Sequence, residues 1–292
     1  MVAVSLKKKV GTDVAGRRQY LYHQRWQDER AEEKFDRVLE LSTKLPELRT
    51  QIAAQLNSRG LHRDRVLALA LHLIDLGYFR AGGEQYAEDN ESYGLATLLC
   101  AHVRARGDVV SFDYPAKSGV QRTLEIQDPD VARVVRALLR RGDQTDRLLV
   151  CRTSSGWVDL RADDLNCRFK ELVGDEYSVK DLRTWHGTVL AARSFALADP
   201  AVSQRVGKKV TSAVMKDVSE ALGNTPAVAR SAYVDPRVVR AYEHGATIET
   251  AVRRAERVRR PGAAQGILEK ATRGLVRRAA RLRPGSEVST AA

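Results

Sequence analysis

A single tyrosine closes the segment LGNTPAVARSAYVDP, residues 222–236. Thr225 and Pro226 are the cap and first-turn residues of a helix, and Asp235-Pro236 stops that helix and can begin another. Tyr233 is therefore expected near the end of a short, isolated helix. A phenol, with a pKa of about 10, is a weak nucleophile at neutral pH and must be activated before it attacks anything. Four other positions carry groups suited to that chemistry on a phosphate. Arg80 follows a helix end and precedes Gly82-Gly83; Lys117 sits in the hairpin tip PAKSG; Arg183 follows Lys180 by one helical turn in VKDLRTWHGT; Asn224 stands nine residues before Tyr233. Taken singly, each has a plain reading: a surface arginine at a turn, a solvated lysine, a basic helix face, a packing tyrosine with a wet hydroxyl.

The rest of the composition narrows the chemistry. The chain has 292 residues and a net charge of +12, with arginine dominating the basic residues. Guanidinium forks match phosphate geometry, so a polyanion, most often nucleic acid, is the expected partner. Cys100, Cys151 and Cys167 show no CxxC spacing, which argues against a zinc site or a disulfide framework and suggests buried or inert thiols. No apolar run is long enough to span a membrane, and no signal peptide is visible. Walker, EF-hand and HExxH patterns are absent from the sequence, so no cofactor, ATP or metal requirement can be read from it.

The elements that must position these residues are mainly helical (α+β). Residues 1–30 are polar, with a possible short strand at Gln19–Tyr22. Phe35, Val38 and Leu39 start a helical stripe, Pro46 is expected to open a second helix, and a third runs from Arg63 to Tyr78 with a Gly77 stop. Val109–Tyr114 and Val120–Ile126 flank Pro115–Gly119 as an antiparallel β-hairpin. Asp128-Pro129 starts a basic helix, Leu148–Arg152 reads as a strand, and a small helix lies near Asp163–Leu172. Helical segments then run over 180–198, 203–222 and 226–242, followed by an Arg/Ala-rich helical tail. This gives three expected units: 1–30, 31–245 and 246–292.

In order and spacing, Arg80, Lys117, Arg183, Asn224 and Tyr233 lie in FRAGGEQYAEDNESYGLATL, FDYPAKSGVQRTLEI, VKDLRTWHGTVLAA and LGNTPAVARSAYVDP. This set resembles the type IB DNA topoisomerases, in particular the compact bacterial enzymes related to the poxvirus one, from about Arg17 to Gly245. The resemblance implies a helical catalytic domain with a small inserted hairpin. It implies relaxation of double-stranded DNA by a monomer at the nucleoid, through a 3′-phosphotyrosyl intermediate on Tyr233, without ATP, cofactor or metal. Arg80 and Arg183 would hold the non-bridging oxygens, Asn224 would add a neutral hydrogen bond, and Lys117 would protonate the leaving 5′-oxygen. Lys180 and Tyr86 match positions near the DNA backbone. His186 reads as a satisfied histidine, and Trp185, Tyr93 and Cys151 as packing residues.

Two features depart from the poxvirus pattern. Asn224 stands where that enzyme has a histidine; bacterial relatives also carry asparagine here, which cannot shuttle a proton. Residues 1–30 are shorter than the family's β-rich amino-terminal domain and are expected to be a remnant of its DNA clamp; residues 246–292 would be a basic helical extension. A tyrosine recombinase shares the Arg-Lys-Arg-Tyr logic, but usually shows His-x-x-Arg where this chain has Lys180-Asp-Leu-Arg183. A non-catalytic DNA-binding relative is the third reading, and an RNA-binding module lacks its aromatic platform.

Overall fold

The computed structural model describes residues 9–12, 18–21, 24–77, 79–84, 91–141, 145–259 and 261–281. In chain order it has a strand pair, β1 (Lys9–Thr12) and β2 (Arg18–Leu21), then two long helices, α1 (Gln24–Leu56) and α2 (Arg63–Gly77). A three-stranded antiparallel sheet follows, made of β3 (Val103–Arg106), β4 (Val109–Pro115) and β5 (Gln121–Gln127) in that spatial order. After α3 (Pro129–Leu139) comes a second hairpin, β6 (Val150–Thr153) and β7 (Gly156–Asp159). The remainder is helical: α4 (Ala162–Val173), α5 (Val179–Leu197), α6 (Gln204–Leu222), and the short α7 (Pro226–Val228), which runs into a π-turn over Ala229–Tyr233. Finally come α8 (Pro236–Glu243), α9 (Glu249–Glu256) and α10 (Pro261–Ala279). The expected mainly α architecture with a small inserted β element is what the chain adopts.

α2 and α5 form the centre. Val66, Leu67, Leu69, Ala70, Leu71, Leu73 and Ile74 cover all sides of α2 and are buried, the pattern of a helix surrounded by protein. α5 is equally enclosed, yet it carries Asp181, Arg183, Thr184, His186 and Thr188 inside. Buried polar groups are costly unless bonded, so this helix is where function and packing compete.

Pro46 does not open a second helix; α1 runs straight through it. A proline in a helix interior cannot donate to the carbonyl four residues back. Here that carbonyl, on Ser42, accepts instead from Arg273 Nη1 of α10 at 2.9 Å. The carbonyl left without its helical donor is satisfied from 231 residues away in the chain, which no local pattern could announce.

The sheet follows the strand period. In β5, Arg122, Leu124 and Ile126 turn inward while Gln121, Thr123 and Glu125 face solvent. β4 and β5 pair from Val109–Gln127 to Pro115–Gln121, with a 3₁₀ turn at Lys117–Gly119 closing the hairpin. β3 and β7 extend the two β elements beyond the strands expected. Asp128 caps α3 by accepting from the N–H groups of Asp130 and Val131, as its Asp-Pro signal requires.

α10 packs against α1, α5, α8 and α9, and Leu268, Leu275, Val276 and Ala279 are buried in the common core. Of the cysteines, Cys151 is buried, Cys100 partly so and Cys167 exposed. Among the described residues no helix is long and apolar enough to cross a membrane.

Candidate active site

The site is assembled on the carboxyl end of α6. A helix leaves its last carbonyls without intrahelical donors. Here Gly223, at φ +63°, makes a Schellman turn: the Asn224 N–H bonds Ser219 O at 2.8 Å, and the Gly223 N–H bonds Glu220 O at 3.2 Å. The next three carbonyls are each taken by a guanidinium. Arg122 Nη2 donates to Ala221 O at 2.7 Å, Arg183 Nη2 to Leu222 O at 2.7 Å, and Arg80 Nη2 to Gly223 O at 2.6 Å. The negative end of the α6 dipole thus offsets part of the repulsion among three cations brought together from α5, β5 and the loop after α2.

Gly223 suits its left-handed backbone and also leaves room for the Arg122 guanidinium. A Cβ there would lie 2.9 Å from Arg122 Nη1. Arg80 also donates to Asn224 Oδ1 at 2.7 Å, which orients the amide. Its Nδ2 is then buried without a hydrogen-bond partner among the described residues, a donor held ready for an oxygen. The loop carrying Arg80 is fixed by a glycine pair. Gly82 (φ +86°) and Gly94 approach so closely that a Cβ on Gly94 would fall 2.3 Å from Gly82 Cα.

Burial, and then the neighbouring Arg80 charge, pulls the Arg183 guanidinium down to about 10, still protonated at neutral pH. Arg80 is lowered by burial and by Arg122. Among the described residues, the hydrogen-bond acceptors of Arg80 and of the Nη2 donors of Arg122 and Arg183 are neutral oxygens. These bonds orient the guanidiniums without offsetting their charge, as the binding of an anion requires.

Tyr233 faces this cluster. Arg183 Cζ lies 5.4 Å from the centre of its ring. The tyrosine ends the π-turn, whose last bond runs from the Val234 N–H to Ala229 O at 3.0 Å, a rare geometry that recurs at functional sites. Thr225 caps the preceding α7 through Val228 N, and Asp235 caps α8 through Arg237 N, as their sequence signals indicate. The turn rests on α5 at Gly187, where a Cβ would come within 2.7 Å of Tyr233 O. Lys34 of α1 donates to the carbonyl of Ala232. Burial and the nearby Lys180 pull its ammonium down to about 8. A second tyrosine, Tyr114, lies near the same guanidiniums, but it is buried in β4, and burial raises its phenol.

The model of the eukaryotic DNA topoisomerase I catalytic core matches residues 23–259. The chain belongs to this family, the type IB DNA topoisomerases. It is 26% identical over 241 residues to DNA topoisomerase 1B of Acanthamoeba polyphaga mimivirus, covering 80% of this chain and 72% of that protein. It is 23% identical over 231 residues to DNA topoisomerase I of monkeypox virus, covering 77% and 69%. A third similarity, to DNA topoisomerase 1 of Mycosarcoma maydis, is 28% over 118 residues, 39% of this chain and 12% of that one.

In this topoisomerase, Arg80, Arg183, Asn224 and Tyr233 converge on the end of α6. Lys117 does not join the buried cluster: it is exposed on the turn at the hairpin tip. Lys180 is exposed in the first turn of α5, and Tyr86 lies outside the described residues. His186 bonds Asp75 through Nε2 at 2.9 Å, away from Tyr233. Trp185 and Cys151 are core residues, and Tyr93 packs edge-on to His102. Sequence reasoning missed Arg122, Tyr114, Gly187 and Lys34. Arg122 and Gly187 lie inside motif blocks already singled out; Arg122 shows one signal, an arginine at an inward strand position. Lys34 shows none.

Proposed function

We propose that Tyr233 is the nucleophile of this type IB topoisomerase and that Arg80, Arg183 and Asn224 bind the scissile phosphate. The observation that carries the reading is the convergence on one helix end of the buried Arg183 and half-buried Arg80 guanidiniums, a buried amide donor without a partner among the described residues and a tyrosine ring. Attack by Tyr233 Oη forms a P–O bond to the 3′ side and breaks the bond to the 5′-oxygen. The phenol gives up its proton to solvent, and the Lys117 ammonium at the hairpin tip delivers one to the leaving oxygen. Charge gathers on the non-bridging oxygens in the transition state, where Arg80, Arg183 and Asn224 Nδ2 donate to them.

One phosphodiester is exchanged for another, so the cycle of cleavage, strand rotation and religation runs without ATP. The guanidiniums supply the electrostatic work elsewhere given to a metal. On this reading the enzyme acts as a monomer on double-stranded DNA, at the nucleoid, with Lys180 and Tyr86 on the DNA backbone. Asn224 groups it with bacterial members of the family. Residues 31–245 form the catalytic unit and 246–292 a basic segment, of which α9 and α10 pack upon that unit. Incubation with a suicide duplex, whose short 5′ product strand dissociates, tests the nucleophile. The wild-type chain accumulates a 3′-linked adduct on the peptide containing Tyr233, in excess EDTA and without ATP, and Tyr233→Phe binds DNA but forms none. An adduct on the Phe variant, or a strict magnesium requirement, contradicts the reading.

A further inference from the structure

Arg122 occupies a place that the phosphate-binding reading does not use. It lies five residues after Lys117 in the same hairpin and opposite Tyr114 in the β4–β5 register. Its position in β5 is an inward one, shared with Leu124 and Ile126, where the strand period calls for an apolar side chain. Instead its guanidinium crosses to α6 and donates to Ala221 O at 2.7 Å. Gly223 leaves room for it: a Cβ there would sit 2.9 Å from Arg122 Nη1.

The consequence is geometric. Arg80 and Arg183 are seated on the carbonyls of Gly223 and Leu222, and Arg122 is seated on Ala221 of the same helix end. The strand leading out of the Lys117 turn is thereby referred to the frame that holds the phosphate donors. The tip itself is exposed, so its aim depends on where the strand behind it is anchored. We propose that Arg122 is a positioning residue for DNA cleavage: it ties β5 to the end of α6 and thereby sets Lys117 against the leaving 5′-oxygen. This rests on Lys117 being the general acid. Misplacing a reacting group by about 1 Å can cost 10²-fold in rate, which sets the scale of the effect.

The test compares single-turnover cleavage of an ordinary suicide duplex with that of a duplex carrying a 5′-bridging phosphorothiolate. The thiolate leaves without needing a proton. Arg122→Met, Arg122→Lys and Lys117→Ala are measured in the full chain, with DNA affinity and thermal midpoint recorded for each. Arg122→Met is expected to cleave ordinary DNA about 10²-fold more slowly and to recover most of that on the phosphorothiolate. Arg122→Lys, which keeps the charge and one donor, should show a smaller loss with the same recovery, and it carries the test if the Met variant does not fold. Equal losses on both substrates, or no loss on ordinary DNA, overturn the proposal. Lys117→Ala separates the two claims. If it fails to recover, the general-acid reading falls and takes this proposal with it. If it recovers and the Arg122 variants do not, only the role of Arg122 is wrong.

Discussion

Two buried arginine sites share helix α5, and they are built to opposite rules. Three residues separate Arg183, in the Tyr233 site, from His186, in the other. There, Arg49 of α1 donates to Asp75 of α2 at 2.6 and 3.1 Å and to Glu269 of α10 at 2.8 Å through two nitrogens. His186 bonds the same Asp75. Burial alone would raise the Asp75 carboxyl, but the bonds from His186 and Arg49 hold it well below the usual carboxylate range. That cluster sets carboxylates directly against Arg49 and holds α1, α2, α5 and α10 together. In the Tyr233 site, Arg80, Arg122 and Arg183 each donate to a backbone carbonyl at the end of α6. The lesson is one of charge: carboxylate partners offset the charge of Arg49, whereas carbonyl partners orient Arg80 and Arg183 without offsetting theirs.

The largest expected difference comes from Arg49→Met. Two buried carboxylates lose their counter-charge, which should cost about 3–5 kcal/mol of stability, read by urea unfolding, while the folded fraction cleaves DNA at nearly the wild-type rate. Arg183→Ala should reverse the pattern: cleavage falls about 10²–10³-fold, with a thermal midpoint close to wild type because a crowded cation is gone. Equal stability losses in the two variants would break the contrast. Gly187→Ala sharpens it without touching charge. The new Cβ meets the Tyr233 carbonyl, so cleavage should slow by about 10-fold or more through misplacement, with DNA affinity retained. Arg273→Ala removes the donor to Ser42 O and should cost about 1–3 kcal/mol without altering single-turnover cleavage. The smallest effect is that of acid. The folded Asp75 value is depressed, so its contribution to stability is complete above the ordinary carboxylate value of 3.8 and is lost as pH falls through the folded one. Unfolding at pH 3 against pH 6 should show a steeper loss in wild type than in Asp75→Asn.

How much of this was legible in the sequence follows the range of the interactions. Helix caps at Thr225, Asp128 and Asp235 and the Lys117 hairpin are local, and their residues announce them. The order of Arg80, Lys117, Arg183, Asn224 and Tyr233 could also be read from spaced motifs. Pro46 lies inside α1, and the carbonyl it cannot serve is met by Arg273 from α10. The role of Arg122 depends on Ala221, 99 residues on, and that of Gly187 on the approach of Tyr233. Lys34 meets Ala232 across 198 residues. Such contacts exist only once the fold has brought their partners together.

The claim that Arg80 and Arg183 act on the charge of the phosphate oxygens is tested most directly by taking that charge away. Single-turnover cleavage is measured on a duplex with an ordinary scissile phosphate and on one with a neutral methylphosphonate there, for wild type, Arg80→Ala, Arg183→Ala and Arg49→Met. On the phosphate the Arg80 and Arg183 variants should fall about 10²-fold or more behind wild type. On the methylphosphonate most of that deficit should vanish, while Arg49→Met behaves alike on both. If the Arg80 and Arg183 variants remain equally impaired on the neutral substrate, their guanidiniums do not serve the phosphate charge, and the division between a carboxylate-bound arginine and anion-binding ones is wrong.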